Sequence, residues 1–254
     1  MKTVLKYVIL SALRDKLFLG LSLAILAIFG ISNLMGFTAT SEETLMQTAL
    51  FAGSFRTMLV CGMVVFICFH INKSFENREI SFMLSKNISR EKFILSYWIA
   101  FSIISFLLIL MFSVMLLLFC RYNLLGSIQW MASVMFETMM IIMFSILASF
   151  ILESAIFSVF STIGFYIIAR LMGFFINMHL VRSGSVIYNI ISTSSHFLSQ
   201  IVSSIIPRLD LFSQTKWIIY GADFSIFKVV FAQSIIYIAI MFMMAFYDFK
   251  NKQF

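Results

Sequence analysis

Six stretches of the chain are apolar over about 20 residues or more, close to the length a helix needs to cross roughly 30 Å of hydrocarbon. They cover about 17–37, 50–72, 93–119, 130–152, 155–178 and 225–247, with ends fixed to within a few residues. The pattern predicts an all-α polytopic membrane protein with six transmembrane helices in one domain, 1–254. The first residues follow another period. Val4, Leu5, Val8, Ile9, Ala12 and Leu13 form one helical stripe, with Lys2, Lys6 and Ser11 off it. That predicts an amphipathic helix within 1–16, resting on the membrane face. A plain extension of the first span is the alternative.

The links differ in kind. Glu153 and Ser154 centre a very short link between the fourth and fifth spans, which makes those helices antiparallel neighbours. The connection 179–224 is long and mixed. Ile187, Ile190, Ile191, Leu198, Ile201, Val202 and Ile205 keep helical spacing while Ser192, Thr193, Ser195, Ser199 and Ser203 crowd the other faces. This predicts an outer-face helical segment, interfacial or re-entrant, over about 184–206, ended by Pro207. A seventh span there would carry the C-terminus and its two lysines to the outer side, against the charge rule.

Composition agrees with the pattern. The chain is 61% hydrophobic and 11% charged, where soluble domains carry roughly a quarter charged residues; a soluble globule is excluded. The net charge of +7 is explained by its distribution. Lys2, Lys6, Arg14 and Lys16 precede the first span, five basic residues lie within 73–92, and Lys250 and Lys252 end the chain. Arg121, Arg182, Arg208 and Lys216 fall in loops on the other side, and Arg56, Arg170 and Lys228 in or beside spans. Positive residues stay with the cytoplasm, so both termini are expected inside a plasma (bacterial inner) membrane, and nucleic acid is not an expected partner. The start resembles a secretory signal, but its apolar run is too long and has no small-x-small cleavage site, so it is read as retained. Cys61, Cys68 and Cys120, an odd set within spans, make no disulfide framework.

The densest charge lies at Lys73–Lys92, where Lys73, Glu76, Arg78, Glu79, Lys86, Arg90, Glu91 and Lys92 crowd between two spans. Ile80, Met83 and Leu84 make an i, i+3, i+4 stripe that can rest on the membrane. Phe75, Glu79, Phe82 and Lys86 form a mixed aromatic and charged face that can meet a partner. Ser89 is placed to cap the third span, with Glu91 beside the positive helix end. A basic loop that only sets topology would look much the same.

The order of residues adds a resemblance. Glu76-Asn77-Arg78-Glu79-Ile80 through Leu84-Ser85-Lys86-Asn87-Ile88-Ser89-Arg90 resembles the cytoplasmic loop of ABC export permeases of the ABC-2 type, with Asn87 where proline is usual. Ser11-Ala12-Leu13-Arg14-Asp15-Lys16 before the first span and Ile206-Pro207-Arg208-Leu209-Asp210-Leu211-Phe212 before the last are similar to stretches in that family. The resemblance implies a membrane subunit of an ATP-driven exporter. Its partners would be a second permease, identical or homologous, and two cytosolic ABC ATPase subunits, with membrane lipid around it. Phe75, Glu76, Arg78, Glu79, Phe82 and Lys86 would form the coupling face that docks on the ATPase. ATP and magnesium would sit on that ATPase: this chain has no G-x-x-x-x-G-K-[ST] loop and is expected to be no enzyme and to hold no cofactor itself. Lipids, glycans, peptides, haem and drugs are all compatible cargo. The rival reading is a membrane scaffold that recruits a cytosolic partner through the same loop. A secondary transporter would show broken, Gly/Pro-rich spans in matching halves.

His70, His179 and His196 show no paired metal spacing, and His70 points away from the face shared by Cys61 and Cys68. Among charges inside spans, where burial costs about 2.5–3.5 kcal/mol or more, Glu137 and Arg170 are the deep ones. Arg56 lies nearer a span end and can snorkel. Glu137 precedes Glu153 by almost the same stretch of chain as Arg170 follows it. At about 1.5 Å per residue both stand roughly 24–26 Å from the turn, level with each other. Whether they face each other depends on helix rotation, which the pattern leaves open. Paired, they are either a structural lock between two spans or part of a substrate pathway. For a simple lock, exchanging the two charges should recover much of the yield that a single replacement loses.

Overall fold

The structure is a computed structural model and describes residues 2–14, 16–36, 43–77, 89–119, 123–178 and 206–251. Its helices are α1 (Lys2–Arg14), α2 (Lys16–Gly36), α3 (Glu43–Glu76), α4 (Arg90–Phe119), α5 (Leu124–Leu152), α6 (Ala155–Met178), α7 (Lys216–Tyr220) and α8 (Phe224–Asn251), with a 3-10 turn at Leu209–Leu211. There is no strand among the described residues. Five helices, α3, α4, α5, α6 and α8, are long and apolar enough to cross a membrane, which fits a polytopic membrane protein. In α2 the apolar run of that kind covers only Phe18–Ser32.

The long apolar runs become helices because a chain in lipid must satisfy its backbone internally. Where they end, the sequence supplies the reason. Asn123 accepts from the backbone N–H of Leu125 (3.1 Å) and Gly126 (3.4 Å), capping α5. Glu153 ends α5 in the left-handed region (φ 49°), and Ser158 closes the tight turn by donating to the carbonyl of Ala148 across it. Ring pairs then fix the directions. Phe66 on Phe101 and Phe51 on Phe112 make α3 and α4 antiparallel, and Phe144 stacked on Phe165 (4.1 Å) does the same for α5 and α6. By contrast, Phe136 meets Phe231 and Phe150 meets Phe249, so α5 and α8 run parallel.

Helix α5 is the centre, packed against α3, α4, α6, α7 and α8. Its buried serines Ser145 and Ser149 donate to carbonyls one turn back, so they pack as small residues with no unmet hydroxyl. Leu21 fills the space against Gly62 and Phe29 meets Phe51 at 5.0 Å, so α2 runs back along α3 and begins beside the end of α3. Helix α1 packs on α4 with Val8 and Ala12 buried, while Lys6 and Arg14 stay exposed. At the start of α4, Arg90 donates to the carbonyls of Phe249 (2.6 Å) and Lys250 (2.7 Å) at the end of α8. These contacts gather Lys6, Arg14, Lys73, Arg90, Lys92 and Lys250 at one end of the bundle, the end of the Glu153 turn.

Candidate functional site

One polar junction lies deep in the bundle, and its centre is Ser213. Residues 206–223 do not lie flat across the helix ends. They run along the first half of α5, from Gln129, which exchanges hydrogen bonds with the backbone of Ala222 (3.0 and 3.3 Å), down to Glu137, which receives the Ser213 hydroxyl at 2.8 Å. Non-helical backbone at that depth must find protein partners, because lipid offers none. The helices supply them.

Each polar atom of Ser213 has a partner. Its N–H donates to Ser133 Oγ (2.9 Å), and its hydroxyl to Glu137 Oε2. Its carbonyl accepts from Arg56 (2.8 Å) and from Trp130 Nε1 (3.1 Å). The residue reaches two helices at once, α3 and α5, by taking a left-handed conformation, φ 50°, which is uncommon for a non-glycine residue. One turn earlier, Arg170 donates to the carbonyls of Leu209 and Phe212, the latter at 3.0 Å. Pro207, which has no N–H to satisfy, enters this segment buried.

The carboxylate of Glu137 is fully buried at 0% exposure, and three donors surround it. Tyr166 OH (3.2 Å) and Arg170 (3.5 Å) meet Oε1, and Ser213 meets Oε2. Tyr166 and Arg170 lie at i and i+4 on one face of α6, so one helical stripe delivers both. On α5 the stripe is Gly126, Gln129, Trp130, Ser133 and Glu137. One carboxylate serves a junction with two guanidinium groups, Arg56 and Arg170, and the segment's carbonyl oxygens complete their surroundings. The junction is an arrangement for holding backbone.

Two glycines allow the close approach. A Cβ on Gly126 would overlap the carbonyl oxygen of Trp217, and one on Gly173 would overlap the carboxylate of Asp210. Asp210 in turn pairs with Arg208 at 3.0 Å.

The pattern of the chain had set Glu137 level with Arg170 but left their facing open; the structure brings them together. It gives Arg56 an inward role in place of a snorkelling one, since its Nη1 donates to Ser213. Tyr166, Ser213, Ser133, Trp130 and Gln129 were not anticipated. The available signal was the polar and small stripe on α5, spaced by three and four in an otherwise apolar helix.

The other candidate residues lie at the basic end. Phe75 is half-buried with its ring edge-on to Phe150 (5.8 Å), and Glu76, the last residue of α3, is exposed. Arg78, Glu79, Phe82 and Lys86, with the Ile80, Met83 and Leu84 stripe, fall outside the described residues, as do 184–205 of the outer-face segment, Cys120, His179 and His196. The carbonyl of Ser89 accepts the N–H of Phe93 at 3.1 Å, the first helical bond of α4. Among the described residues no three His, Cys, Asp or Glu side chains come together as a metal site. Comparison of the chain with protein-family models, with curated proteins and with solved structures gives no match.

Proposed function

We propose that the chain is the membrane-spanning permease subunit of an ATP-driven exporter of the ABC-2 type. Two such subunits, identical or homologous, enclose the pathway, and two cytosolic ABC ATPases carry ATP and magnesium. The observation that carries this reading is the charged stretch 73–92, which lies between the ends of two membrane-length helices in a sequence resembling the family's coupling loop. Its location supports the reading. Helix α3 ends at Glu76 and α4 begins at Arg90, at the same end as the basic residues of α1 and α8. By the positive-inside rule that end is cytoplasmic and so faces a cytosolic ATPase. With α2 taken as the sixth span, about 31 Å long at 1.5 Å per residue and antiparallel to α3, both termini fall on that side.

On this reading the 206–223 segment enters the bundle from the outer end as part of a cap over the pathway. The junction at Glu137, Arg170, Arg56 and Ser213 holds it. Closure of the ATPases would then be felt at the cytoplasmic ends of α3 and α4, and the helices would carry it to the segment they grip.

The test is expression of the tagged full chain together with the ABC ATPases of its own cell. The expected result is a stable complex that hydrolyses ATP. A complex that forms without hydrolysis favours the scaffold reading, and failure of any ABC ATPase to copurify overturns the assignment.

A further inference from the structure

Helices α4, α5 and α8 leave a groove between them of about 690 Å³, within the range of small-molecule sites. Trp98, Phe136 and Phe242 are among its walls, Ser234 lies on its α8 side, and Glu91 and Lys92 line it at the start of α4. The groove has a direction. Trp98 lies about two helical turns, roughly 10 Å, deeper than Glu91 along α4. The Trp98 indole donates to the carbonyl of Met139, and Phe136 lies one further turn along, about 5 Å. The groove thus extends about 15 Å from the charged mouth, half of a hydrocarbon core of roughly 30 Å. It is as deep as one leaflet.

Its interior asks for hydrocarbon. The Trp98 N–H is used by Met139, and the Ser234 hydroxyl by the carbonyl of Val230 (2.7 Å), so these two polar side chains have spent their donors inside the protein. The mouth asks for something else. Arg90 is held by the carbonyls of Phe249 and Lys250, which leaves one exposed carboxylate and one exposed ammonium, Glu91 and Lys92, side by side on the groove. An anionic headgroup would suit Lys92 and be repelled by Glu91. A zwitterion suits both, its phosphate toward Lys92 and its ammonium toward Glu91.

We propose that this groove is a lipid site: one acyl chain of a zwitterionic phospholipid from the same leaflet lies between α4 and α8, with its headgroup on Glu91 and Lys92. The site goes beyond the transport reading and does not depend on it, since a scaffold with this fold would bind the same lipid.

Trp98 makes the site measurable. The other two tryptophans, Trp130 and Trp217, are buried within the protein, so Trp98 is the indole open to a quencher. The full chain in detergent is titrated with phosphatidylethanolamine carrying bromines midway along one acyl chain, and tryptophan emission is followed. The expected result is saturable quenching, reversed by unbrominated phosphatidylethanolamine and absent in Trp98→Phe. Phosphatidylglycerol should need about tenfold more lipid to reverse it. Filling the groove with Ala239→Phe, at an exposed α8 position, should remove the saturable part. Quenching that rises linearly without saturation, or that survives Ala239→Phe in a folded protein, overturns the site. Phosphatidylglycerol reversing it as well as phosphatidylethanolamine overturns the zwitterionic assignment. The competition arm needs no variant, so it decides the matter even where a substitution fails to fold.

Discussion

The guanidinium of Arg170 stands closer to the carbonyl oxygen of Phe212, at 3.0 Å, than to the carboxylate of Glu137, at 3.5 Å. The arginine is therefore a donor to non-helical backbone first and an ion-pair partner second. Glu137 likewise divides its oxygens between Arg170, Tyr166 and the hydroxyl of Ser213. The two charges are joined through the segment 209–213 as much as through each other.

That geometry reverses the expectation from the charges alone. Arg170→Met and Glu137→Gln should each lower folded yield, since removing one member of a buried set costs about 3–5 kcal/mol. The exchanged double variant, Glu137→Arg with Arg170→Glu, should do no better than the worse single change. A carboxylate at 170 cannot donate to Leu209 and Phe212, and an arginine at 137 would face Arg56 across Ser213. Folded yield on size-exclusion chromatography reads the outcome; recovery in the exchanged variant would restore the simple pair.

Much of this site was legible along the chain, up to a definite point. The short Glu153–Ser154 link sets Glu137 and Arg170 at one depth, because helices joined so tightly run antiparallel and rise equally per residue. The apolar runs place α6 at its observed ends, Ala155–Met178, but α3 begins at Glu43 and α5 at Leu124, six or seven residues before the apolar runs that predict them, because both helices continue past the apolar stretch. What spacing cannot give is the third participant. Residues 206–215 have no periodicity, so nothing in them announces that they pack inside the bundle, and Ser213 and Tyr166 look like any serine or tyrosine. Arg56, in the first half of α3, looked near enough to a span end to reach water. Spacing does not show that it turns inward to donate to the carbonyl of Ser213, which Trp130 Nε1 also serves.

Ser213 separates strain from bonding. Ser213→Ala keeps the left-handed backbone and loses the hydroxyl that Glu137 accepts, at a cost of about 1–3 kcal/mol for the acceptor left unmet. Ser213→Gly loses the same bond but removes the φ penalty, so it should be the milder change by roughly 1 kcal/mol. Thermal unfolding in detergent measures both; glycine as harmful as alanine would mean the left-handed turn is not held in the folded protein.

Gly126 tests how closely the segment presses on α5. Gly126→Ala would push a methyl into the carbonyl oxygen of Trp217, which is backbone and cannot swing aside, so a loss of about 1–3 kcal/mol is expected. Gly53→Ala and Gly164→Ala, at helical positions with open space around the added carbon, should be neutral or stabilising by up to about 1 kcal/mol. Equal melting temperatures for all three variants would remove the close contact between α5 and α7.

The proposed coupling face gives the most direct measurement of the account as a whole: ATP hydrolysis by the purified chain alone, by its complex with the proposed ABC ATPase, and by that complex carrying Glu79→Ala with Phe82→Ala. With no phosphate-binding loop, the chain alone should be inactive, and the wild-type complex should hydrolyse ATP in lipid nanodiscs. The double variant should insert normally but bind the ATPase at least tenfold more weakly, about 1.4 kcal/mol, with hydrolysis lost in proportion. Hydrolysis by the isolated chain, or a double variant that binds its ATPase and turns over as the wild type does, would contradict the account.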